Sequence, residues 1–160
     1  MALSEAEFTR RVLAIEGKLY RVSLAIMGSD ADSKDATQEA LCRAWLCHDK
    51  LRDEAKFEGW LMRILVNECK ALMRKHKRRQ SLLPALEPAP DTADVDWAVR
   101  EALFQLEERL RLPVMLHYVE GYGVEEIAAM LDARPGTVKS WLYQGRAKLR
   151  DLLGEGGDEA

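Results

Sequence analysis

Lys139, Tyr143, Arg146 and Arg150 recur at steps of three and four residues within VEEIAAMLDARPGTVKSWLYQGRAKLR, the stretch from Val124 to Arg150. At about 100° per residue they share one side of a helix. Val138, Leu142, Gly145 and Leu149 form an apolar stripe on another side. Ammonium, guanidinium and phenol groups in a row donate hydrogen bonds to phosphates and base edges. Ahead of them Ile127, Ala128 and Leu131 sit at helical spacing, and Pro135 with Gly136 marks a tight turn. Two helices about a turn, the second with one packed side and one donor side, form the arrangement that enters the major groove of duplex DNA.

A second set of donors lies earlier in the chain. Arg63, Asn67, Lys70, Arg74, Lys77 and Arg78 fall within an arc of about 100° when projected on a helix. Phe57, Leu61, Ile64, Leu65 and Leu72 fall on the opposite side. A stripe of one sign repels itself, so it favours an anionic partner over plain solvent. The net charge of −3 conceals this pattern. Residues 1–80 hold 16 basic and 12 acidic residues, whereas residues 81–160 hold 8 and 15. Screening confines each charge to about 8–10 Å, so a local basic stripe acts independently of the total.

No group of residues signals covalent chemistry. His48, His76 and His117 are scattered, and His76 falls in with the basic stripe. Cys42, Cys47 and Cys69 are odd in number and contain no CxxC pair, so neither a disulfide framework nor a zinc site is expected. There is no phosphate-cradling glycine loop and no nucleophile–base order. The expectation is no catalytic residue, no metal and no cofactor. No apolar run approaches the roughly 20 residues that span a bilayer. The start, MALSEAEFTRR, lacks the apolar core of a secretory signal. A cytoplasmic protein without membrane insertion is expected.

The elements that must position these residues are helical throughout. One helix is predicted from about Ser4 to Met27, stopped by Gly28, and a second from about Asp30 to His48. Asp30, Asp32 and Asp35 crowd the start of the second, where the helix dipole favours carboxylates. A polar loop follows to Lys56, then a third helix from Phe57 to Arg78. Pro84, Pro88 and Pro90 interrupt the pattern and mark a linker over 80–93. Trp97 to Leu106 and Val114 to Tyr118 suggest two further helices before the helix-turn-helix, and 154–160 reads as a disordered tail. The expected fold is all-α, with two small helical domains, 1–79 and 94–153.

Three segments carry a likeness. LYRVSLAIMGSDADSKDATQEALCRAW, then FEGWLMRILVNECKALMR with its F-x-x-W-L-x-x-I-x-x-N pattern, then EIAAML and GTVKSWL stand in fixed order and spacing. Together they resemble the bacterial RNA polymerase sigma factors of the extracytoplasmic-function (ECF) type, within the sigma-70 family. The first two are similar to the family's region two and the third to its region four. The likeness covers nearly everything from Leu19 to Leu153.

This resemblance implies roles. Asp35, Gln38, Glu39 and Arg43 would dock on the beta-prime clamp helices of core RNA polymerase, and region four on the beta flap. Arg52, Asp53, Lys56 and Asn67 would contact bases of the minus-ten element as single-stranded DNA. Arg63, Lys70 and Arg74 would hold its phosphates. Trp60, at the edge of the apolar face, is read as core, with base stacking as the alternative. Arg134, Thr137, Lys139, Ser140, Tyr143, Gln144 and Arg146 would meet the duplex minus-thirty-five element. Of these, Lys139 and Arg146 suit backbone, and Ser140, Tyr143 and Gln144 suit base edges. An anti-sigma partner is also implied. Two residues depart from the family pattern: Asp132 replaces the usual turn glycine, and Trp141 stands where arginine is common. The implied function is promoter-specific transcription initiation without chemistry of its own; the alternative is a helix-turn-helix regulator that never engages polymerase.

Overall fold

The computed structural model describes residues 3–79 and 97–154. It divides into two compact units, Met1–Ala85 and Leu86–Ala160. Among the described residues every regular element is a helix, and no helix is long and apolar enough to cross a membrane. The expected linker, 80–93, lies outside the described residues, as does the tail beyond Gly154.

Unit 1 contains α1 (Glu5–Ala14), α2 (Glu16–Met27), α3 (Asp30–Leu46) and α4 (Phe57–Arg79). Ser4 caps α1 by accepting a hydrogen bond from the Glu7 N–H at 3.1 Å, and Ser29 caps α3 by accepting from Asp32. Between them Gly28 takes the left-handed conformation at φ 76° and closes α2. Tyr20 donates to Asp30 at 2.6 Å, and Lys34 lies 3.2 Å from the other Asp30 oxygen. These contacts hold the Asp30 carboxyl below its ordinary range, Tyr20 being the larger cause. Leu19, Val22 and Ile26 of α2, Ala36, Ala40 and Ala44 of α3, and Leu61, Leu65 and Val66 of α4 are buried together. The alanines recur every fourth residue, which lets α3 approach closely. Each fully buried leucine or isoleucine contributes about 1.5–3 kcal/mol.

The single helix expected over Ser4 to Met27 is two helices. Ile15 leaves helical geometry at φ −121°, ψ 16° between α1 and α2. The hydrophobic period runs through this break, so periodicity conceals it; what α1 packs against causes it. Phe8 of α1 sits edge-on to Trp45 at 5.1 Å and to Phe57 at 5.7 Å. The second expected helix ends at Leu46 rather than His48, and His48 opens a one-turn 3-10 helix, His48–Lys50. A second such turn, Glu54–Lys56, leads into α4.

Unit 2 contains α5 (Trp97–Gln105), α6 (Glu108–Val114), α7 (Val124–Leu131) and α8 (Pro135–Gly154). Between α6 and α7 the chain widens into a π-helical turn, Met115–Val119, and Gly121 turns it at φ 84°. Tyr118, read from sequence as part of an apolar helix, is 48% exposed, on the side away from buried Leu116. Leu110, Leu116, Ile127, Met130, Val138 and Leu142 fill the core. Arg111 is buried with them and donates to the Leu106 carbonyl at 3.1 Å beneath the Phe104 ring. Burial pulls its pKa below the ordinary arginine value, with Glu108 opposing.

Candidate nucleic-acid interface

In unit 1 the acidic-headed helix presents one exposed face. Asp35, Gln38, Glu39 and Arg43 are all exposed on α3, and Asp35, Glu39 and Arg43 flank the alanine stripe that packs it. Arg43 Nε donates to Glu68 Oε2 of α4 at 2.6 Å and lies 3.8 Å from Glu39. A groove of about 320 Å³ runs between α3 and α4 here, with Asp35, Glu39, Arg43, Glu68 and Lys75 on its walls. Beside it a second depression joins Arg43, Leu46, Ile64 and Asn67, and Leu46 is 80% exposed. Glu68 was absent from the sequence reading. Its three-residue offset from Leu65 and the 25-residue separation from Arg43 carry no local signal.

The basic stripe of α4 is outward. Arg63, Asn67 and Arg74 are exposed and Lys70 is half-buried. Lys77 and Arg78 belong to α4, but their side chains lie outside the described residues. His76 is not in this stripe. Its Nδ1 lies 3.6 Å from Asp32 at the start of α3, because its position on α4 turns it toward that helix. Trp60 is half-buried against Phe57 at 5.9 Å.

Arg52, Asp53 and Lys56 are exposed on the loop between α3 and α4. Asp53 also serves the loop itself: its Oδ1 accepts the Ala55 N–H at 3.0 Å. At the near end His48 stacks on Trp45 at 4.2 Å, and its Nδ1 lies 2.6 Å from the Trp45 carbonyl. A carbonyl only accepts, so Nδ1 carries the proton.

In unit 2 the turn between α7 and α8 is closed by Asp132 at φ 55°, ψ 49°. Aspartate tolerates this left-handed conformation better than most residues. The Gly123 N–H donates to Glu126 at 2.8 Å at the start of α7. Pro135 occupies the first position of α8, where its missing N–H costs nothing. Arg134, Thr137, Lys139, Ser140, Tyr143 and Arg146 are exposed, and Gln144 is half-buried. Gln144 Nε2 donates to Ser140 Oγ at 3.0 Å, which joins two of the base-edge candidates one turn apart. Trp141 is half-buried beside them. Arg146 Nη1 donates to the Tyr118 hydroxyl at 2.9 Å. Tyr118 was not singled out from sequence, since its partner Arg146 lies on another helix.

The packed side of α8 depends on Gly145. A Cβ there would collide with Val114 Cγ2 and lie 3.6 Å from the Leu110 carbonyl of α6. The absence of a side chain lets α8 approach α6 between Gln144 and Arg146. Among the described residues no three His, Cys, Asp or Glu side chains gather as a metal site.

Residues 12–79 match the family model of sigma-70 region 2, and residues 96–149 match that of sigma-70 region 4. The chain is 34% identical over 141 residues to the ECF RNA polymerase sigma factor SigM of Mycobacterium tuberculosis, covering 86% of this chain and 72% of that one. It is 32% identical over 154 residues to the ECF RNA polymerase sigma factor SigE of Mycolicibacterium smegmatis, and covers 89% of this chain but spans only 60% of the relative's length. Among solved structures, the sigma factor RpoE of Bartonella quintana in complex with the anti-sigma factor NepR is similar at TM-score 0.81 and 26% identity, covering 92% of this chain and 96% of that one. By its two matched regions and its relatives, this chain belongs to the ECF sigma factors of the sigma-70 family.

Proposed function

We propose that this chain binds core RNA polymerase and directs it to promoters, acting in the cytoplasm and performing no bond chemistry itself. One observation carries the reading: each unit presents its own exposed donor face, on α4 and on α8. A regulator that binds duplex DNA alone needs only the second. The α4 face and the loop before it meet the minus-ten element as single strand. There Arg52, Asp53, Lys56 and Asn67 contact bases, and Arg63, Lys70 and Arg74 contact phosphates. The α8 face meets the duplex minus-thirty-five element through Arg134, Thr137, Lys139, Ser140, Tyr143, Gln144 and Arg146. Asp35, Gln38, Glu39 and Arg43 dock on the beta-prime clamp helices, where the two carboxylates and Gln38 suit basic residues, and unit 2 docks on the beta flap. Residues 80–93 join the two promoter-reading domains, 1–79 and 94–153. An anti-sigma factor is a further partner; the Bartonella relative is described in complex with one.

Reversing the charge of Asp35 and Glu39 to lysine is expected to weaken binding to core polymerase by at least about tenfold, or about 1.4 kcal/mol. Both are exposed, so the fold is retained. Co-purification with core polymerase, followed by transcription from a promoter selected by the wild-type chain, measures this. Binding of the folded double variant at wild-type strength would remove α3 as the docking face. Duplex binding without any polymerase association would replace this function with that of a stand-alone regulator.

A further inference from the structure

Arg11 lies one residue before the span matched by the region 2 family model, 12–79, on a helix to which no role has been assigned above. Its guanidinium is the most heavily engaged side chain on that helix. Nη1 donates to the Glu54 backbone carbonyl at 2.9 Å, and Nη2 to the Glu54 carboxylate at 3.0 Å. Nε donates to Glu7 at 2.7 Å, and the group lies 5.8 Å from the Phe57 ring centre. All three nitrogens of a rigid fork are thus assigned, two of them to one loop residue. Glu54 sits between Asp53 and Lys56, in the loop proposed to read bases. Phe8, one turn before Arg11, packs on Trp45 and Phe57, which flank that loop.

A short polar loop has few contacts of its own to choose one conformation. A loop that must present Arg52, Asp53 and Lys56 to a base loses discrimination when it samples many. Arg11 grips the loop by its main chain, so its hold does not depend only on the residue at position 54. It does so from behind, and leaves the three exposed side chains unencumbered. We infer that α1 is a brace for the base-reading loop, and that Arg11 is a positioning residue for minus-ten specificity. This rests on the proposed function, in which that loop meets the promoter strand.

The test uses holoenzyme assembled from core RNA polymerase and the full chain. A promoter is selected by the wild-type chain from templates randomised in the minus-ten element. Transcription is then compared between that promoter and its single-base minus-ten variants. Arg11→Ala is expected to narrow this discrimination by about fivefold to tenfold, the scale of one or two lost charge-assisted hydrogen bonds. Core polymerase affinity and the response to minus-thirty-five substitutions should stay within about twofold, as other residues are proposed to serve them. Arg11→Lys should not restore discrimination, since an ammonium cannot reproduce the fork. Glu54→Ala, at a 46% exposed side chain, removes one contact and keeps the carbonyl, so it should produce a smaller loss of the same kind. Full discrimination by a folded Arg11→Ala chain overturns the inference. So does a loss shared equally by polymerase binding, which would mark general destabilisation. Should Arg11→Ala fail to fold, unchanged discrimination by Glu54→Ala overturns it instead. A wild-type chain that selects no promoter overturns the underlying function, a result distinct from wild-type selection with an indifferent variant.

Discussion

Asp53 holds its own loop with one carboxylate oxygen, and Arg146 rests on the Tyr118 hydroxyl. Arg74 differs from both: it is exposed on α4, away from the buried face of that helix. Substituting it therefore isolates the interaction with nucleic acid. Arg74→Ala is expected to weaken promoter binding by the holoenzyme about uniformly across sequences and to reduce the salt slope by about 1, the signature of one phosphate contact. Melting temperature should be unchanged, since exposed substitutions rarely exceed about 0.5 kcal/mol. Titrating binding against salt for both chains measures the difference. An unchanged slope with altered base preference would make Arg74 a base reader instead. Types and spacing made Arg74 legible in the sequence, because one helix face shows its charges directly. Glu68 and Tyr118 were not legible, because each is defined by a partner on another helix.

At the scale of elements, the boundary at Gly28 follows from local chemistry and sequence located it, whereas the turn marked by Pro135 and Gly136 falls earlier, at Asp132, and Pro135 and Gly136 begin α8. The break at Ile15 follows from tertiary packing and was missed. Gly145 illustrates the same division. Its place in an apolar stripe was visible, but the reason for glycine is the Val114 side chain of α6, thirty-one residues earlier. Gly145→Ala is expected to destabilise unit 2 by about 1–3 kcal/mol through overpacking, despite the better helix propensity of alanine. It should also shift α8 and weaken minus-thirty-five binding more than minus-ten binding. Denaturant unfolding and promoter assays with each element altered separately measure the two effects. A chain more stable than wild type would show that α6 yields without strain.

For the molecule as a whole, the spacing of charged residues marked the two exposed donor faces, and composition said less about stability. Two carboxylates of unit 1 are held in their charged form by neighbours that a composition count does not show. Arg10, and then Arg11, hold the Glu7 carboxyl at about 2 by hydrogen bonding, and Tyr20 and Lys34 lower that of Asp30. A carboxylate depressed in the folded state stabilises it fully above its unfolded pKa. That contribution fades as pH falls from the ordinary value of 4.5 toward about 2. Unit 1 should therefore lose melting temperature between pH 5 and pH 3, and Glu7→Gln should lose less over that interval. Scanning calorimetry at several pH values checks this, and identical pH profiles for both chains would show that Glu7 does not contribute. The exposure of the two donor faces was legible from sequence because they are local patterns. The brace behind one loop and the close approach behind α8 were not, because each joins residues that only folding brings together.

Asp132, alone among the described non-glycine residues in holding a positive φ, separates two properties that substitutions commonly change together. Replacing it with glycine or asparagine keeps the same turn, because both accept the left-handed conformation, so the surface that α8 offers to DNA keeps its composition and direction. What changes is how much of the chain is folded at a given temperature, and through that its abundance in a cell. The turn is thus a place where the dosage of a promoter-reading protein can drift while the set of promoters it reads stays the same.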